Sequence, residues 1–221
     1  MVRRAALGAV LSTPTITAII PTIGRESLLE TLDSCLEADE IIVLADGPEV
    51  PYIDVEEDAT YVVTPKAQGC HGHPLRNLAL DSYVSGGYVV SIDDDDVFLP
   101  GAFDAIRAAI AYYPGRWFVF QMVGGPGSHF PGVVCWQSKR IRIGDVGTPM
   151  IVAPASAKAR WGSRGVDDFG RDLGEGFFGD YEYAAALQEE LGDPVWLPVV
   201  IAEIRPAVIE TADVSETPTK G

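Results

Sequence analysis

Two kinds of apolar pattern alternate from about Thr15. Continuous β-rich runs at "ITAIIPT" (Ile16–Thr22), "EIIVLAD" (Glu40–Asp46), "TYVVT" (Thr60–Thr64) and "GYVVSID" (Gly87–Asp93) predict four strands. Between the first two, "ESLLETLDSCLEA" places Leu28, Leu29, Leu32, Cys35 and Leu36 on one helical face, and Ser27 with Glu30 fits a capping box. A second helix is expected near Pro74–Tyr83. Pro100 is placed to start a third, carrying Phe103, Ile106, Ala109 and Ile110. Strands that are apolar along their whole length must be buried on both faces. The pattern therefore predicts an α/β fold, a mostly parallel central sheet with helices on both faces.

The pattern loosens after "RWFVFQMV" (Arg116–Val123), where Gly124, Gly125, Pro126 and Gly127 mark a loop. "GVVCWQ" and "RIRIG" read as two strands of a hairpin, and "GTPMIVAPASAKARWG" as a strand with a short helix. A Gly-rich acidic loop then runs into a helix over "GDYEYAAALQEEL", and "PVWLPVVIAEI" follows as a final apolar segment. No internal repeat or linker divides the chain. The division expected is an N-terminal segment (1–14), one domain (15–205) with a nucleotide-binding half (15–123) and a smaller, irregular acceptor half (124–205), and a polar tail (206–221).

Composition narrows the function classes. The 221 residues are 47% hydrophobic and 22% charged, with 32 acidic against 16 basic residues for a net charge of −16. That balance speaks against a nucleic-acid polymer as partner, which needs clustered cations. Three widely spaced cysteines, Cys35, Cys70 and Cys135, suggest reduced thiols and a cytoplasmic setting. No apolar run reaches the ~18–20 residues that span a bilayer. The opening "MVRRAALGAVLST" is at the lower limit for a signal sequence and reads as an accessory N-terminus.

The chemistry concentrates at "SIDDDDVFLP". Four consecutive carboxylates, Asp93 to Asp96, repel one another and resist desolvation unless a cation or hydrogen bonds compensate. Standing directly behind a buried strand, they suit a hard divalent ion, Mn²⁺ or Mg²⁺, which takes oxygen ligands and keeps positions open for substrate phosphates. In open α/β sheets ligands bind beyond the carboxyl ends of the strands. Pro21-Thr22, Asp46-Gly47 and Asp93–Asp96 all fall at such ends. The glycine signatures of P-loop and dinucleotide sites are absent, as are the EF-hand spacing and a Gly-x-Ser-x-Gly elbow. His71 and His73 read as ordinary loop histidines, and Trp117, Trp136, Trp161 and Trp196 as core.

In order and spacing, "TAIIPTIGR", "EIIVLADGPE", "PLRNLALDSYVSGGYVVSIDDDDVFLP" and "GDYEYAAAL" resemble the successive motifs of family 2-type glycosyltransferases with the GT-A fold. The resemblance covers roughly Thr15 to Leu191 and is strongest through Pro100. It implies a nucleotide-diphosphate sugar as donor, held by Pro21, Thr22, Arg25, Asp46 (at the base) and Arg76. Asp93 and Asp94 would lie near ribose or donor sugar, and Asp95 would be the metal ligand of the DxD motif. Asp180 takes the place of the catalytic base of inverting members, with Glu182 and Asp168 as alternatives. Gly179 stands where a glutamate is common, and Ala45 replaces the first aspartate of the usual Asp-Asp-Gly.

The sequence thus predicts a metal-dependent, inverting glycosyltransferase of hexosyltransferase type. The acceptor, whether glycan, protein or small molecule, is not encoded in any readable motif. Two alternatives stay open: a nucleotidyltransferase, and a non-catalytic carbohydrate- or nucleotide-binding module on the same fold. Asp96 is expected to serve the turn toward Pro100 more than the metal, and Gly162–Gly179 to be a closing loop.

Overall fold

The computed structural model describes residues 14–55, 59–125, 128–162 and 178–205. In chain order the first half contains β1 (Ile16–Thr22), α1 (Leu28–Cys35), β2 (Glu40–Ala45), β3 (Ala59–Val63), α2 (His73–Ser82), β4 (Tyr88–Ser91), β5 (Val97–Phe98) and α3 (Ala102–Tyr112). The second half contains β6 (Phe118–Val123), β7 (His129–Phe130), α4 (Val133–Ser138), β8 (Ile151–Pro154), α5 (Gly179–Leu191) and β9 (Val195–Glu203). One curled sheet has the order β3-β2-β1-β4-β8-β6-β9-β5, with β7 paired to β6. β1, β2, β3 and β4 are parallel, and β6 and β9 run with them, because β8 is antiparallel to both β4 and β6. The predicted α/β architecture with a mostly parallel sheet is therefore the observed one, and it has the GT-A form.

Alternation along each central strand explains why the runs are apolar throughout. Ile16, Ala18 and Ile20 of β1, with Ile41 and Val43 of β2, join the larger core beneath α1 and α3. Their neighbours Ile19, Ile42 and Leu44 join a second cluster with Leu75 and Ala79 of α2. Period-two side chains feed two cores, so both faces of these strands are mainly apolar. α3 buries the four residues assigned to it, although its N-cap is Gly101, one residue past Pro100.

Three expectations need correction. α1 buries Leu28, Thr31, Leu32 and Cys35, whereas Leu29 and Leu36 are 55% and 56% exposed. A helix of barely two turns covers one stripe, and those two leucines lie on the adjacent one. Ser27 is the N-cap of α1 but its hydroxyl makes no capping bond. "GVVCWQ" is the short helix α4, not a strand, and "RIRIG" forms no strand. The Cys135 thiol donates to the Arg140 carbonyl at 2.8 Å, so the chain folds back beneath the helix instead of pairing as a ribbon. Intrinsic β preference of the two valines is too weak to decide against that packing. The strand and short helix expected in "GTPMIVAPASAKARWG" are β8 and the helical turn Thr148–Met150 that precedes it. Most of the Gly162–Gly179 loop, Asp168, and the tail from 206 lie outside the described residues.

Candidate active site

The carboxyl ends of β1, β2 and β4 stand side by side, since Thr22 pairs with Ala45 and Ile19 with Ser91. Beyond them lies a cleft of about 320 Å³. Pro21, Thr22, Arg25, Asp46, Asp93, Asp94 and Asp95 line it, together with Ile23, Gly69, His71, Gly72 and Leu75. Seven of the nine sequence-predicted site residues thus share one cavity. The other two, Arg76 and Asp180, stand behind it or beside it.

The four aspartates have separate environments. Asp94 is 2% exposed, and its carboxylate accepts the Thr22 hydroxyl at 2.7 Å, the Ile23 N–H at 3.1 Å and an ion pair from Arg25. It locks the β1–α1 turn, which leaves it little free lone-pair capacity for a ligand. Asp95 faces the cleft with Arg25 at 3.6 Å; burial, with Asp93 and Asp94 nearby, lifts its carboxyl above the ordinary range despite Arg25. The Arg25 guanidinium is itself held charged: burial opposes it, and Asp94 and Asp95 outweigh burial. Asp96 is buried, accepts the Arg205 N–H at 3.0 Å, and gives its carbonyl to the Thr31 hydroxyl at 2.7 Å. Burial foremost, then Asp93, pushes its carboxyl up to about 7.

Arg76 is fully buried and does not line the cleft. Its Nε donates to Ser91 Oγ at 2.9 Å and its Nη1 to the His71 carbonyl at 2.7 Å, while Nη2 pairs with Asp93. In this arrangement it acts on the cleft through Asp93. Asp46 accepts the backbone N–H groups of Gln68 at 2.5 Å and Gly69 at 2.9 Å. The segment it holds, Gly69-Cys70-His71-Gly72, has four successive positive φ values, of 65°, 52°, 52° and 73°. Left-handed backbone costs a non-glycine residue ~1–2 kcal/mol, so Cys70 and His71 are held there by their surroundings. The turn sets His71 in the cleft wall, which sequence patterning missed; the bracketing glycines were the readable signal.

Asp180 is the second residue of α5. Oδ1 accepts the Thr148 hydroxyl at 2.6 Å and the Trp161 Nε1–H at 3.2 Å. The Trp161 ring stacks on Tyr183 at 3.8 Å, and its backbone is held on both sides by the Asn77 amide of α2 at 2.8 and 2.9 Å. The carboxyl keeps some accessible surface but is closely enclosed by protein. Burial raises its pKa, against the opposing pull of Arg76, Thr148 and Trp161. A helix start was expected to favour the ionised form; enclosure outweighs it. Gly179 is explained as well: a side-chain carbon there would run into the His73 ring, so His73 occupies the space a glutamate at 179 would need.

The carboxylates of Asp93, Asp95 and Asp96 each offer an oxygen within 4.8 Å of the others. Three clustered hard donors fit a divalent ion of the Mn²⁺ or Mg²⁺ kind.

Scanned against protein-family models the chain matches none, and no curated protein matches it. Solved structures do. S. aureus TarS 1-349 superposes with a TM-score of 0.66 at 15% identity, over 86% of this chain and 60% of that one. Its complex with UDP-GlcNAc gives 0.65 at 15% identity over 87% and 58%, and its complex with UDP gives 0.63 at 14% over 87% and 60%. This chain therefore spans about 60% of TarS 1-349, and 37% of the chain in the structure of S. aureus TarS. At such identity the likeness establishes the fold, a GT-A-type α/β architecture.

Proposed function

We propose that this protein is a metal-dependent glycosyltransferase that moves a sugar from a nucleotide-diphosphate sugar to a hydroxyl acceptor with inversion. The observation that carries the reading is the convergence of Asp46, Asp93 and Asp95 on one cleft at the strand ends, on a fold shared with a protein crystallised with UDP-GlcNAc.

Asp46 and the left-handed turn it holds form the wall that would select the base. Asp95, with Asp93 and Asp96 beside it, would hold the divalent ion, and Arg76 fixes Asp93 from behind. A bound ion at this site would supply charge neutralisation for the leaving diphosphate. Arg25 adds a fixed positive charge at the same end of the cleft. Asp180 is the general base: it removes the proton of the acceptor hydroxyl as that oxygen attacks the anomeric carbon from the side opposite the diphosphate. Its raised pKa lies in the direction that strengthens a carboxylate base, and Thr148 and Trp161 keep its orientation.

A thermal-shift screen of nucleotide diphosphates and their sugars, with and without Mn²⁺, tests the donor site. Donor-only turnover tests the reaction. Slow release of nucleotide diphosphate is expected, release of pyrophosphate would identify a nucleotidyltransferase, and Mn²⁺-independent binding without turnover would identify a binding module.

A further inference from the structure

Charge is segregated along this acidic chain. Residues 105–144 contain none of its 32 acidic residues and five of its 16 basic ones. Two of the five are engaged elsewhere: Arg107 bonds the Glu37 carbonyl at 2.6 Å and lies 3.4 Å from Asp39, and Arg116 bonds the Asp193 carbonyl at 2.6 Å. The remaining three, Lys139, Arg140 and Arg142, are exposed in the segment that follows α4, and none forms a salt bridge among the described residues.

The same segment carries apolar exposure. Val133 and Val134, on the first turn of α4, are 70% and 60% exposed, among the largest such values for apolar side chains here. Cys135 alone of this helix is buried. Trp136 is half-buried and meets the Trp196 ring edge-on at 5.8 Å, with the Lys139 ammonium 3.5 Å from the Trp136 ring centroid. Six residues of helix are only about 9 Å long, so valines, indole and cations form one small patch. One carboxylate, Asp145, lies beside Gly132 and Cys135 at the base of the patch, so three cations stand against one anion. Exposed aliphatic side chains, an indole and an excess of cations suit the boundary between lipid headgroups and acyl chains.

We propose that α4 and Lys139–Arg142 dock this protein onto an anionic lipid surface, the valines entering the interface and the three cations meeting lipid phosphates. The charge of −16 does not forbid this. Ions screen distant carboxylates beyond about 8–10 Å, so the local positive patch decides the contact. The valines favour a bilayer over a soluble polyanion, which would leave them in water. Among the described residues no helix is long and apolar enough to cross a membrane, so attachment through this face would be peripheral. The proposal stands independently of the catalytic reading.

The test is vesicle co-sedimentation of the full chain with phosphatidylcholine vesicles that do or do not contain about half phosphatidylglycerol, at low and high salt. Soluble polyphosphate serves as competitor. Binding is expected only with phosphatidylglycerol, weakened by salt, and about ten-fold or more weaker for Arg140→Glu/Arg142→Glu. Val133→Ser/Val134→Ser should also weaken it, and both variants should keep the parent melting temperature because the altered side chains are exposed. Absence of vesicle binding would overturn the proposal, and so would binding unchanged in both variants. Binding lost in the arginine variant, kept in the valine variant and abolished by polyphosphate would assign the face to a soluble polyanion instead. Self-association that disappears in the valine variant would assign it to a second copy of this chain.

Discussion

The two ends of the candidate site are built from different materials. The donor end rests on β1, β2 and β4, parallel neighbours whose buried residues alternate between two cores. Its functional groups sit just past the strand ends, where the parallel register brings their partners alongside: Asp94 bonds Thr22 and Ile23, and Asp46 bonds Gln68 and Gly69. The Asp180 end is held by residues outside those parallel strands, Thr148 before β8 and Trp161 beyond it, with Asn77 of α2 bracing the tryptophan. Strand register positions the first group; packing of a helix start against loop residues positions the second. A substitution should therefore act sharply and separably at the donor end, and at the other end only as well as its scaffold is preserved.

The severest separation of the two ends is Asp95→Asn. It should abolish transfer and the Mn²⁺-dependent part of nucleotide binding. It should leave the metal-free melting temperature unlowered, because one of several crowded charges is removed. Retained Mn²⁺-dependent binding, read by calorimetry, would break the assignment. Next in size, Asp180→Asn should lower turnover ~10²–10⁴-fold while donor and metal binding stay unchanged. The amide oxygen can still accept from Thr148 and Trp161, so the fold should persist, and near-normal transfer in a stable variant would leave Glu182 as the described alternative. Glu182 sits against Gly162, where a side-chain carbon would collide with it.

A smaller effect sharpens the electrostatic side. With Asp96 raised to about 7, the folded chain holds a proton between roughly pH 4 and 7 that the unfolded chain releases. Native proton uptake in that window means stability grows as pH falls through 7 toward 4, by on the order of 2–4 kcal/mol without metal. Melting curves from pH 8 to 5 should show the rise, and saturating Mn²⁺ should flatten it. A fall in stability over that range would refute the burial of Asp96 as an acid. Smallest, Asp46→Ala should weaken one nucleotide diphosphate by ~1–3 kcal/mol and spare the others. Equal loss for every nucleotide would mean that only the 69–72 turn has collapsed.

Legibility in the sequence follows the same divide. The strand runs from Ile16 to Asp93 are long, apolar and punctuated, so their order gave the sheet, and the polar residues ending each run gave the cleft. The resemblance puts Arg76 near the nucleotide; its complete burial behind Asp93 depends on Ser91 and the His71 carbonyl, which no pattern reveals. In the second half, "GVVCWQ" carries strand-like residues yet folds as α4: Cys135 bonds the Arg140 carbonyl five residues on, and Trp136 meets Trp196, which lies outside any local window. The two-residue strands β5 and β7 were too short to register. Thr148 and Trp161, as partners of Asp180, carry no motif at all.

The last strand also sets when the site can exist. β9 is inserted between β6 and β5, pairing Val97 with Glu203 and Phe98 with Ala202, and the Arg205 N–H closes on Asp96. The acidic turn emerges from a ribosome about a hundred residues before the strand that buttresses it. At a synthesis rate of about 5–20 residues per second, that delay is several seconds or more. During it the nascent chain would leave Asp96 without its Arg205 partner and the edge of β6 unpaired, while Asp93 and Asp94 already have Arg76, Thr22 and Arg25. A chain stalled before Val195 should therefore hold a divalent ion more weakly than the finished one, and full affinity should arrive as the final strand docks.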